Sequence, residues 1–250
     1  MATSQRYVPT LHHLSHSSAF RCLWALEELQ EAHGIVYNLK NYKRQRGQAP
    51  PELQSVFSLG KSPILTLEPT TEDQPLPTLQ IKPGVLIEAQ LIIRFLSEEY
   101  GKGLWDSGME ADKNRDVFFQ AFTLNTLQPK IDILVVIETF ASFLPPGFSH
   151  LVRLLLSPVL LFWKNNLLRP LFQILEDALD KKPWFAGGKL GQADFHACWC
   201  MDWATQRDFI PLDEFPRLRD WHGRTKSRGA YRRALEKGNG YDLKTLGLNE

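Results

Sequence analysis

The chain has 250 residues, enough to bury a substantial core in one large domain or two modest ones. Its 29 lysines and arginines against 28 acids leave a formal net charge of +1, a balance that argues against a general binder of nucleic acid, which would carry a basic excess or stripe. Three cysteines, at positions 22, 198 and 200, form neither a disulfide framework nor a zinc spacing, so the reading is a reducing compartment without structural disulfides.

The opening Met-Ala-Thr-Ser-Gln-Arg lacks the apolar centre of a secretory signal, and cytoplasmic placement is expected. Tyr7 to Leu14 mixes β-branched, aromatic and apolar residues and reads as a strand. After it, Phe20, Leu23, Trp24 and Glu27 recur at helical spacing, with Arg21 and Glu28 on another face. Ser15 to Ser18 is therefore a strand-to-helix corner, where hydroxyls meet the unpaired N–H groups and partial positive charge of a helix start. Ser17 and Ser18 are both natural N-caps. Two readings stay open here: the serines only cap the helix, or one hydroxyl holds a bound thiolate.

Ile35 to Leu39 predicts a second strand, Lys43 to Gly47 a basic solvated loop, and Pro50 to Ser58 a short helix opening on a proline. Leu59 to Leu65 turns into a third strand, with Pro63 a candidate cis-proline. Prolines at 69, 75, 77 and 83 mark an elongated hairpin or surface loop. Gly84 to Ile87 predicts a fourth strand, and Glu88 opens a helix carrying Leu91, Ile92, Phe95 and Leu96 at the 3.6 period.

Gly101 to Glu110 is aperiodic and glycine-rich, a linker. Beyond it no strand pattern occurs. Ala111 to Leu144 is helical with a bend near Pro129, Pro145-Pro146-Gly147 breaks it, and Ser149 to Leu179 is a second long helical region. A turn at Gly187 to Gln192, a helix over Ala193 to Arg207 and one or two more over Pro216 to Leu235 complete the chain. The order βαβα, ββα, then all helix implies an α/β domain over residues 7–100, a linker over 101–110 and an all-α domain over 111–240. The apolar run Leu151 to Trp163 is interrupted by Arg153 and Pro158. Its thirteen residues span about 20 Å, short of the roughly 30 Å of a bilayer core, so it is not read as transmembrane. A buried helix, an apolar pocket wall and a surface for peripheral membrane association remain open for it.

His12, His13 and His16 could suggest a metal, but adjacent His12 and His13 point to opposite faces of a strand and cannot easily share one ion, so no metal site is expected. Cys22, inside the first helix, is expected to face packing, and Phe118, Phe119 and Phe122 read as core.

Taken together, Ser17-Ser18-Ala19-Phe20-Arg21, Leu59-Gly60-Lys61-Ser62-Pro63-Ile64-Leu65, Ile87-Glu88-Ala89, Pro183-Trp184-Phe185-Ala186-Gly187 with Ala193-Asp194, and Phe215-Pro216-Arg217-Leu218-Arg219-Asp220-Trp221 resemble, in order and spacing, the cytosolic glutathione transferases of a serine type familiar from fungi. The resemblance covers about Leu11 to Leu235. It implies a thioredoxin-like N-terminal domain, an all-α bundle, glutathione as co-substrate without a metal, and a homodimer. It also implies roles: Ser17 donates a hydrogen bond to the glutathione sulfur, and Ser62 pairs its backbone with the cysteinyl unit across the Pro63 turn. Glu88 accepts from the γ-glutamyl amine, and Lys61 sits near a carboxylate.

The sequence departs from the family where Ala89 replaces a hydroxyl residue, leaving backbone N–H groups at that helix start to meet the γ-glutamyl carboxylate. Phe119 and Phe122 would line the site of a hydrophobic electrophile. The resemblance also admits a non-catalytic relative that binds glutathione or apolar ligands. A cysteine-type thiol-disulfide enzyme would need a cysteine where Ser17 stands. Asp194 is expected to be structural, at the third helical position after Gly191.

Overall fold

A computed structural model describes residues 5–45, 47–78, 82–140 and 144–246, apart from the side chain of Pro146. They form two compact units, positions 1–106 with 224–250 and positions 107–223. The helical half read from sequence runs on to residue 240; in the structure, positions 224 onward group with the first unit.

The first unit opens with β1 (Tyr7–Leu14), α1 (Ala19–His33), β2 (Asn38–Tyr42) and α2 (Glu52–Val56), then β3 (Ile64–Pro69), β4 (Val85–Ile87) and α3 (Ala89–Tyr100). The sheet order is β2-β1-β3-β4, with β1 and β2 parallel and the other neighbours antiparallel. A parallel pair needs a crossover, and α1 supplies it. β2 begins at Asn38, three residues later than its local alternation predicts, because its bounds follow pairing with Thr10 to Leu14 along β1.

Register decides what comes together. His12 faces Ile64, and Ile64 faces Ile87, so the end of β1, the start of β3 and the end of β4 share one edge of the sheet. Beneath that edge Leu14, Tyr42, Leu53, Ile64 and Val85 form an apolar cluster.

Helix α1 is buried from Ala19 to Leu29, on all its faces, because β1, α3 and the last helix, α10 (Gly229–Lys237), pack around it. Two acids are thereby taken inside and must be paired. Glu28 accepts from the Trp24 indole N–H at 2.8 Å and from Arg228 at 2.5 and 2.7 Å. Glu27 accepts from Tyr37, Arg233 and Lys237. Burial works against its ionisation, but these hydrogen bonds outweigh it and hold the carboxyl below its ordinary value. Gly34, left-handed at φ 65°, ends the helix by donating its N–H to Gln30.

The second unit is helical among the described residues: α4 (Glu110–Phe122), α5 (Gln128–Phe140), α6 (Pro146–Trp163), α7 (Arg169–Ala178), α8 (Gln192–Gln206) and the start of α9 (Pro216–Ser227). Wide π turns at Thr123–Leu127 and Lys164–Leu168 link α4 to α5 and α6 to α7. Each lies just before a proline, Pro129 or Pro170, whose ring and missing N–H disfavour an ordinary turn there.

Phe172, Leu175, Phe185, Phe195 and Trp221 fill the core of this unit. Its centre is Asp194, which accepts from the N–H of Phe185 (2.9 Å), Ala186 (3.4 Å) and Gly191 (3.0 Å) and from the Trp221 indole (2.8 Å).

The buried-helix reading of the 151–163 run is corrected. Phe148, Leu151, Leu154, Leu155, Val159, Leu161 and Phe162 are exposed, since apolar residues occupy every side of α6 and the unit packs against little of it. The helical stretch Gly147–Ala178, with its π turn, has 32 residues and is long and apolar enough to cross a membrane by length and composition alone.

Candidate functional site

At the shared sheet edge the peptide bond Ser62-Pro63 is cis, as its sequence setting predicts. The Ser62 hydroxyl donates to the His12 carbonyl at 2.8 Å and accepts the Leu14 N–H at 3.1 Å. From the other side the Ser17 hydroxyl donates to the Leu14 carbonyl at 2.7 Å and accepts the Ala19 N–H at 3.2 Å. The two candidate serines thus hold both backbone polar groups of Leu14. Ser18 occupies the N-cap position of α1 but makes no capping bond; Ser17 takes a first-turn N–H instead.

Glu88 follows β4 at φ 69°, a left-handed conformation that costs a non-glycine residue about 1–3 kcal/mol and recurs at functional sites. Its side chain is exposed and caps nothing, while Ala89 beside it is buried. Lys61 is exposed next to half-buried Ser62 and buried Pro63. The starts of α1 and α3 therefore both open on this edge, each with N–H donors and a positive dipole end.

Sequence reasoning missed two parts of the corner. Arg44, read as part of a solvated loop, donates to the carbonyls of Ser15 (3.0 Å), His16 (3.0 Å) and Gly47 (2.8 Å). Residues 239–242 return from the far end of the chain: Asn239 donates to the Tyr42 carbonyl at 2.7 Å, and the Tyr241 ring stacks on Phe20 at 3.9 Å. Neither contact has a local signal, because each joins segments remote in sequence.

His12 and His13 have different hydrogen-bond partners. His12 bonds Tyr42 (2.9 Å) and Thr66 (3.1 Å), whereas His13 bonds Asn239 (3.1 Å). Burial pushes both imidazoles down to about 4, with nearby Lys40 adding to the effect at His12. Cys22 is buried with its sulfur 4.0 Å from the Ala89 carbonyl, and burial pushes its thiol up to about 12. In the second unit Phe119 is buried against Phe185, ring centroids 5.3 Å apart, with the Arg115 guanidinium 4.9 Å from its centroid; Phe122 is half-buried. Cys198, Asp202 and His222 cluster in the same unit, and Asp202 pairs with the imidazole at 2.7 Å.

A four-stranded mixed sheet with a cis-proline edge, joined in sequence to a helical unit, is the fold of the glutathione transferases. A solved glutathione transferase of Phanerochaete chrysosporium, in complex with oxidized glutathione, has this fold at TM-score 0.65 and 19% identity, over 95% of this chain and 99% of its own. The family model for the glutathione S-transferase C-terminal domain matches residues 164–228.

Among curated relatives, glutathione S-transferase 3 of Schizosaccharomyces pombe is 27% identical over 228 residues, 91% of this chain and 86% of that protein. Glutathione S-transferase 1 of Saccharomyces cerevisiae is 25% identical over 231 residues, 91% of this chain and 94% of that protein.

Proposed function

We propose that the protein is a glutathione transferase that binds glutathione along the shared sheet edge and transfers it, through sulfur, to a hydrophobic electrophile. The carrying observation is the convergence of Ser17, Ser62-Pro63 and Glu88-Ala89, from three separate stretches, at one edge where two helices begin. The two yeast relatives and the solved neighbour that holds oxidized glutathione support the same reading.

Only the thiolate attacks, and a free thiol ionises near 8.5, so the site must favour the anion. Ser17 would turn its proton from the Leu14 carbonyl to the sulfur, exchanging a neutral hydrogen bond of about 1 kcal/mol for a charge-assisted one of about 1.5–3 kcal/mol. The α1 dipole adds about 0.3–1 kcal/mol. The net is about 1–3 kcal/mol, or roughly one to two pKa units. The thiolate then forms an S–C bond as a leaving group departs with its electron pair, or as the π electrons of an enone move to oxygen. Glu88 takes the γ-glutamyl amine, Lys61 a carboxylate, the Ser62 backbone the cysteinyl unit, and N–H groups beside Ala89 the γ-glutamyl carboxylate. The reading extends to a cytoplasmic homodimer, and the exposed face of α6 supports peripheral attachment to a membrane, which fractionation checks.

Titrating the thiolate absorbance of bound glutathione tests this. The wild type should hold the thiol one to two pKa units below free glutathione, and Ser17→Ala should abolish most of that shift, leaving only the part the α1 dipole supplies. An unshifted thiol, or no binding, would sink the catalytic reading in favour of a non-catalytic binder. Ala89 and the Ser17 hydroxyl's engagement with Leu14 favour that second reading.

A further inference from the structure

His16, immediately before Ser17, has its polar groups tied from outside its own corner. Its N–H donates to the Gly240 carbonyl at 3.0 Å, its Nδ1 accepts the Asp242 N–H at 2.8 Å, and its carbonyl accepts from Arg44 at 3.0 Å. The backbone there stands at φ 51°, a left-handed conformation kept only where the surroundings over-determine it. Gly240 is fitted to that contact: at φ 119°, a Cβ on it would lie 2.7 Å from the imidazole Cε1. On the other side of Ser17, Tyr241 stacks on Phe20 in the first turn of α1. Ser17 thus sits between two residues that the same short segment clamps.

We propose that residues 240–242, acting through His16 and Phe20, are positioning residues that set the orientation of the Ser17 hydroxyl toward the thiol. The inference rests on the glutathione reading of the site. Turning the hydroxyl from Leu14 to sulfur needs a backbone that stays still, because a useful O–H hydrogen bond tolerates only a few tenths of an ångström. The other anchors, Ser62 and Glu88, lie at β3 and α3, and neither bonds to the segment. The strap should therefore govern activation of the thiol more than capture of glutathione.

The test compares wild type, Gly240→Ala, Tyr241→Ala and Tyr241→Phe by bound-thiol titration, glutathione affinity and kcat with an aryl halide. Gly240→Ala pushes a methyl into His16, and Tyr241→Ala removes the stack while Tyr241→Phe keeps it. The first two should raise the bound-thiol pKa by about one unit and lower kcat about tenfold, with affinity within about threefold and Tyr241→Phe like wild type. An unchanged pKa and kcat in both would overturn the proposal. So would losses of affinity and activity that only follow a lowered unfolding midpoint, which would leave the strap a stability element. An unshifted thiol in the wild type itself would instead refute the glutathione reading and remove the basis of the inference.

Discussion

Asp194→Ala removes the acceptor of four buried N–H donors, three of them at 2.8–3.0 Å, in the core of the helical unit. A buried donor left without a partner costs about 1–3 kcal/mol, so the three close ones amount to about 6 kcal/mol gross. Burial pushes the carboxyl up to about 6 in spite of those donors. Taking it out of the interior therefore returns about 3 kcal/mol, and the net loss is about 3 kcal/mol. For a chain of this length that lowers Tm by roughly 6–12 °C. Asp194→Asn keeps one acceptor oxygen, and its cost should be about half. Urea unfolding at pH 7, followed by circular dichroism and by tryptophan fluorescence, measures both. A loss below about 1 kcal/mol for Asp194→Ala would refute the idea that this carboxylate organises the unit.

Glu27→Gln leaves Arg233, Lys237 and Tyr37 without their anionic partner. Because the two cations are partly exposed and can regain water, the expected cost at pH 7 is about 2 kcal/mol, less than for a fully buried pair. The native carboxyl sits below its ordinary 4.5, so its stabilisation is present above that value and is lost as pH falls through the native value. Unfolding curves of wild type and variant should separate at pH 7 and draw together as pH falls below 4.5. Native protein should resist a thiol-alkylating reagent at pH 8, since all three cysteines are buried and Cys22 is pushed up to about 12. Rapid labelling of Cys22 without unfolding, detected by mass spectrometry, would revive the thiol-disulfide reading.

Features set by a few neighbouring residues were legible in the sequence. Strand β1 and helix α1 follow from side-chain periodicity, the cis bond from Pro63 before an apolar strand, and the bend between α4 and α5 from Pro129. Ser17, Ser62 and Glu88 each stand at an element boundary, and it was the resemblance to the glutathione transferases that joined them into one set.

What depended on partners remote in sequence was not legible. The bounds of β2 come from pairing with β1. Glu27 falls on the same face of the first helix as Phe20, Leu23 and Trp24, but nothing along the chain shows that α10 brings two cations to it. The 151–163 run has core composition yet stays exposed, because hydrophobic residues state a preference for burial without supplying the surface that buries them. Arg44 and the 240–242 segment meet the Ser17 corner only through folding. Local propensity and spacing act over a few residues and can be read along a chain; a side chain's partners are set by which elements pack against it, and that is a property of the tertiary structure alone.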